Sequence, residues 1–128
     1  MKYQHDLPIN FGKNGRKLIT VAIQDIKTKK LLFNASTNKS AFMKTLESSE
    51  VWLYSRSRKK LWHKGSTSGC FLQIRSIRIN CENNSLLYLV ECLGQGACHI
   101  KDKNGQFYST CFFRQILWKG GTIWIENI

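Results

Sequence analysis

Apolar and polar residues alternate along much of this chain with a period of two, the mark of half-buried strands. LITVAIQDI (18–26) reads as such a strand, Lys27 to Lys30 as a polar turn, and LLF (31–33) as the returning strand of a hairpin. Asn38 is placed to cap a helix, because Ala41, Phe42, Thr45 and Leu46 then share one face at helical spacing, and Ser48-Ser49-Glu50 ends it. VWLYSRS (51–57) alternates again. In CFLQIRSIRI (70–79), Leu72, Ile74, Ile77 and Ile79 keep one face only if the strand slips near Ser76. SLLYLVEC (85–92) is almost wholly apolar, which suits a strand covered on both faces. ILWKGGTIWIENI (116–128) reads as a hairpin around Gly120-Gly121. The expected class is α+β: a strand-rich single domain over 1–128 with one main helix, residues 1–15 forming a loosely ordered entry arm.

Composition narrows the functional classes. Hydrophobic residues make up 42% of the 128, enough for a core, which excludes global disorder. The formal charge of +12 favours anionic partners such as phosphorylated small molecules, nucleic acid or acidic membranes, without choosing among them. No apolar run is long enough to span a membrane, and the first residues contain no apolar signal core, so a soluble cytoplasmic protein is expected. The five cysteines are an odd number and do not close as intrachain disulfides.

Two of those cysteines bracket GACHIKDKNGQFYSTC (96–111). Asn104-Gly105 is a strong signal for a two-residue type I′ turn. Pairing outward from it sets Asp102 opposite Phe107 and Cys98 opposite Cys111, with Cβ atoms roughly 4.5–5.5 Å apart. That separation suits two thiolates on one metal ion; two packed thiols or a strained bridge remain open. A catalytic zinc site takes three protein ligands and leaves one position open. Cys81, between a strand and a polar turn, is the best third candidate; Cys70 and Cys92 are weaker, Cys92 reading as core.

YSRSRKKLWHKGSTSG (54–69) gathers Arg56, Arg58, Lys59, Lys60 and Lys64 ahead of Ser66, Thr67 and Ser68. Arginine grips phosphate with two donors, lysine adds a point charge, and hydroxyls add neutral donors. A solvated basic loop is the bland reading. Trp62 either anchors the loop or stacks on a base, so single-stranded nucleic acid also stays open, though the compact hydroxyl cluster suits one phosphate better.

This segment resembles the signature of phosphoribosyl-AMP cyclohydrolases, W-S-R-S-R-x-x-L-W-x-K-G-E-T-S-G. IQD (23–25), MKTLESSE (43–50), INCENNSLL (79–87), GACH (96–99) and STCFFR (109–114) resemble further motifs of that family, in order. The resemblance implies a zinc enzyme of histidine biosynthesis that opens the purine ring of a phosphorylated nucleotide and depends on magnesium. It implies an intertwined homodimer, with zinc on Cys81, Cys98 and Cys111 drawn from both subunits. It implies a proton-transfer role for His99, although in a regular strand His99 points away from Cys98. Arg56, Arg58, Lys64, Ser66, Thr67 and Ser68 are the implied phosphate-binding residues.

The departures are specific. Three aspartates of the family's magnesium site stand here as Asn80, Glu82 and Asn84, a poor cage for an ion that prefers anionic oxygens. Cys70 replaces a histidine and Ser66 a glutamate, and LLFNASTN (31–38) replaces another family segment. The last two zinc cysteines, commonly seven apart, are thirteen apart, an even insertion that keeps a hairpin's faces in phase. Three expectations follow: a working cyclohydrolase, a divergent zinc hydrolase on a related purine nucleotide, or a non-catalytic dimer that binds nucleotides or nucleic acid.

Overall fold

The structure, a computed structural model, describes residues 7–94 and 96–128. Its elements in chain order are β1 (Ile19–Asp25), β2 (Leu31–Thr37), α1 (Lys39–Ser48), β3 (Trp52–Ser55), β4 (Lys60–His63), β5 (Leu72–Ile79), β6 (Ser85–Cys92), β7 (Arg114–Lys119) and β8 (Thr122–Asn127). The α+β expectation with one helix therefore holds among the described residues. Four strands form a sheet in the order β2-β1-β6-β5, in which β1 and β6 run parallel and the other neighbours antiparallel. The pairs β3-β4 and β7-β8 are separate hairpins.

The inner face of the sheet is the alternate residue set of each strand. Val21 and Ile23 of β1, Leu72 of β5, and Leu86, Tyr88 and Val90 of β6 are all buried, with Phe42 of α1 and Leu53 of β3 in the same core. Leu89, on the other face of β6, is also buried, as an almost wholly apolar central strand requires. The slip in β5 is a bulge between Ile74 and Ser76, which returns Ile77 to the register of Tyr88. The returning strand β2 runs four residues beyond the expected LLF, to Thr37. Of the expected entry arm, residues 1–6 lie outside the described residues. The remainder is anchored, since Phe11 is buried against Phe42 at 5.6 Å between ring centres.

Local chemistry sets the helix limits. The Asn38 side chain accepts a hydrogen bond from the Ala41 N–H at 2.9 Å, and Ser49 ends the helix at φ 61° with its N–H donating to the Thr45 carbonyl. The buried Thr45 hydroxyl accepts from the Trp52 N–H at 2.9 Å, which ties α1 to β3. The C-terminal hairpin turns at Gly120 and Gly121, both at positive φ, as the sequence predicts. No helix among the described residues is long and apolar enough to cross a membrane.

Two expectations need correction. The basic segment is not a loop throughout, because Lys60–His63 forms β4 against β3 and confines the turn to residues 56–59. The arm between Cys98 and Cys111 is not a regular two-residue hairpin. Lys101 bridges to Phe107, one residue out of the expected register. The cause is Asp102, whose carboxylate accepts the N–H groups of Asn104 at 2.8 Å and Gln106 at 3.0 Å. That capture favours a turn in which Gly105 alone takes positive φ, rather than both Asn104 and Gly105.

Candidate active site

A pocket of about 560 Å³ lies between the β3-β4 hairpin, the loop that follows it, and the start of the 98–111 arm. Arg58, Lys64, Ser66, Thr67, Ser68 and His99 all line it. Six residues named from sequence thus meet at one place. Arg56 does not line the pocket; it is exposed in the turn of the hairpin. A larger hollow of about 740 Å³ opens beside α1 between Arg16, Lys39, Lys44 and Tyr54, but holds none of the expected metal-binding, phosphate-binding or proton-transfer residues.

The hairpin is held rigidly under the pocket. Trp52 and His63 pair across β3 and β4 with rings stacked at 4.5 Å, and the His63 ring meets the Glu50 carboxylate at 3.1 Å. Residues 65–69 then make a closed turn, the Gly69 N–H donating to the Gly65 carbonyl at 2.7 Å. The Ser68 hydroxyl accepts from the Cys70 N–H, while Ser66 and Thr67 stay exposed. Gly65 is indispensable to this shape. Its φ is 102°, and a Cβ there would stand 2.7 Å from the Phe71 backbone nitrogen. Gly65→Ala is expected to lower stability by about 3 kcal/mol or more. A denaturant midpoint equal to the parent's would show that the turn tolerates the side chain.

Lys64 behaves differently from a surface phosphate binder. It is buried, with its ammonium over the Phe33 ring at 5.3 Å and the Trp62 ring at 6.0 Å. Burial lowers its pKa from the ordinary lysine value, and the sulfurs of Cys70, Cys98, Cys92 and Cys111 around it oppose that shift. Cys98 and Cys111 are themselves neighbours. Cys111 is exposed as a residue, but partial desolvation raises its pKa, and the Cys98 sulfur beside it raises it further. Despite the altered register the arm therefore returns Cys111 to Cys98, through a Cys111 N–H bond to the Leu32 carbonyl at 2.7 Å. Cys98 is buried and its neighbour His99 exposed on an irregular stretch of chain, which lets His99 reach the pocket without a strand's alternation.

Cys81 is elsewhere. It follows β5 at the end where Ile79 pairs with Leu86, whereas Leu72 pairs with Cys92 at the other end, beside Lys64. The intervening eight-residue strand spans about 25 Å. Accordingly, no three Cys, His, Asp or Glu side chains converge as a metal site among the described residues of one chain. The Cys98 and Cys111 thiols are of a kind that suits a zinc ion, and no third such ligand joins them among the described residues of the chain. The magnesium positions do not fit their ion. The Asn80 side-chain oxygen Oδ1 already accepts the N–H groups of Asn84 and Ser85, each at 2.9 Å, and its side-chain nitrogen Nδ2 donates to the Asn84 Oδ1 at 2.7 Å. This turn satisfies itself and leaves Glu82 as its one anionic side chain.

Sequence reading missed Ser55, His63 and Phe107, which also line the pocket. Ser55 sits inside the basic motif, and that was its available signal. Phe107 had none, because its placement depends on the shifted register of the arm.

The comparisons agree with the geometry. The phosphoribosyl-AMP cyclohydrolase family matches residues 33–113. A phosphoribosyl-AMP cyclohydrolase of Clostridium botulinum (strain Alaska E43 / Type E3) is 45% identical over 108 residues, covering 84% of this chain and 92% of its own. One of Streptococcus mutans serotype c is 41% identical over 111 residues, covering 87% and 94%. The histidine biosynthesis bifunctional protein HisIE of Lactococcus lactis subsp. lactis is 43% identical over 102 residues, which cover 80% of this chain and 45% of that protein. With its motif residues gathered in one pocket and this likeness along most of its length, the chain belongs to the phosphoribosyl-AMP cyclohydrolase family.

Proposed function

We propose that this chain hydrolyses phosphoribosyl-AMP in histidine biosynthesis, as a homodimer whose sites hold zinc and are shared between two copies. The observation that carries the reading is the single pocket in which Arg58, Lys64, Ser66 to Ser68 and His99 meet beside the Cys98–Cys111 pair. Arg58 and the hydroxyls of Ser66, Thr67 and Ser68 hold the substrate's phosphates, and Arg56 in the exposed turn meets the same anion from outside. Lys64, buried among sulfurs, acts as a fixed positive charge behind them and balances thiolates. Water adds to the ring carbon that bears the exocyclic nitrogen. The bond from that carbon to the ribosylated ring nitrogen then breaks, and this nitrogen takes a proton. His99 moves that proton.

Cys98 and Cys111, with Cys81 of a second copy, would hold the zinc. When bound, zinc supplies the Lewis acidity that activates water near neutral pH. A second copy is invoked because an eight-residue strand, about 25 Å long, stands between Cys81 and the thiol pair's end of the sheet. The β7-β8 hairpin supports it. Ile116, Trp118, Ile123 and Ile125 lie on one face of this two-stranded ribbon, each more than half exposed. A lone hairpin is marginal in water, and such a face asks for a cover. Asn80, Glu82 and Asn84 carry no step, because their turn is already satisfied.

The test is direct. Freshly reduced protein is incubated with phosphoribosyl-AMP, and the absorbance change of ring opening is followed with magnesium present and omitted. Turnover is expected in both, with zinc at about one per subunit. No turnover in either would overturn the reading. Turnover that vanishes on omitting magnesium would restore a role for Glu82 and its neighbours.

A further inference from the structure

Phe107 lines the same pocket, and neither the family's motifs nor the chemistry above uses it. It stands on the part of the chain that lengthens the spacing between Cys98 and Cys111. Its position is closely fixed. The Cys98 N–H donates to the Tyr108 carbonyl and the Tyr108 N–H to the Ile100 carbonyl, both at 3.1 Å. The Lys101 ammonium lies over the Phe107 ring at 5.2 Å. Gly96 admits the arm at contact distance, since a Cβ there would fall 2.7 Å from the carbonyl oxygens of both Phe107 and Tyr108. Tyr108 in turn stacks on Phe113 at 3.8 Å. The arm is thus closely packed, and the pocket lining combines the donors Arg58 and Ser66 to Ser68 with the aromatic residues Phe107 and Trp62.

We infer that Phe107 is a specificity residue that takes the face of the substrate's purine, so that the lengthened arm selects a nucleotide with an aromatic base over a bare sugar phosphate. This rests on the reading of the pocket as a purine-nucleotide site. A flat aromatic ring is what a purine face stacks on, and truncating such a residue removes about a tenfold or larger factor in affinity.

Tryptophan fluorescence of the full chain is titrated with AMP and, separately, with ribose 5-phosphate. The parent is expected to bind AMP the more tightly. Phe107→Ala is expected to weaken AMP binding about tenfold while ribose 5-phosphate binding stays at the parental value, and Phe107→Trp to keep the preference for AMP. Phe107→Leu keeps apolar bulk without an aromatic face, and is expected to lose most of the preference with an unchanged thermal midpoint. AMP binding as tight in Phe107→Ala or Phe107→Leu as in the parent would overturn the inference, as would a parent with no preference for AMP. Turnover of phosphoribosyl-AMP by the parent is measured alongside. Its absence would defeat the proposed reaction, while the titrations would still decide the role of Phe107.

Discussion

Cys98→Ala is expected to lower turnover of phosphoribosyl-AMP on the order of a thousandfold and to empty the zinc site, with AMP binding largely kept. Cys98 is 3% exposed and neighbours Cys111, the arrangement that the proposed zinc site needs. A Lewis acid contributes several kcal/mol to charge stabilisation in a hydrolytic transition state, and about 4 kcal/mol corresponds to roughly a thousandfold in rate. The thermal midpoint should fall as well, because a bound ion adds its binding energy to the folded state. Cys70→Ala is the control. Cys70 is 1% exposed and lies near the same lysine, yet it should leave zinc content unchanged. Metal content and rate equal to the parent's in Cys98→Ala would mean that the buried thiol is packing alone.

Complementation gives the second large effect. Cys81→Ala and Cys111→Ala are each expected to be inactive alone. Unfolded together and refolded as a mixture, they should recover about a quarter of the parental activity, since half the dimers are then mixed and each carries one whole site. The expectation rests on geometry: Cys81 sits at the Ile79–Leu86 end of the sheet and the thiol pair at the Leu72–Cys92 end. If the ligands came from one chain, every mixed dimer would hold two broken sites and the mixture would stay inactive. Carrying Trp118→Ser and Ile123→Ser in both variants should weaken the recovery, because these side chains are 78% and 71% exposed on the ribbon assigned to the interface.

Much of the fold was legible because its determinants are local. The strand at 85–92 was read to the residue, since an unbroken apolar run between polar turns has few other uses. The Asn38 cap and the Gly120-Gly121 turn were equally plain, because a cap and a left-handed pair depend on neighbouring backbone alone. Strand β4 was hidden because Lys60–His63 reads as part of a basic run, and its pairing with β3 depends on the stacking of Trp52 and His63. The register of the 98–111 arm was misread because one carboxylate, Asp102, outweighed the conformational preference of Asn104-Gly105.

The pocket divides the same way. Arg58, Lys64 and Ser66 to Ser68 announce themselves by type and spacing, whereas His99 is named only through the family resemblance. Where each charge ends up is another matter. Lys64 turns inward over two aromatic rings, Arg56 stays in solvent, and Phe107 enters a pocket to which no motif assigned it. The amino-acid sequence by itself determined the strand periods, the helix limits and the kinds of side chain available for chemistry, because those follow from interactions within a few residues. Tertiary structure decided that Cys98 and Cys111 meet while Cys81 stands a strand's length away, because the parallel pairing of β1 with β6 and the bonding of Cys111 to β2 join residues far apart in the chain.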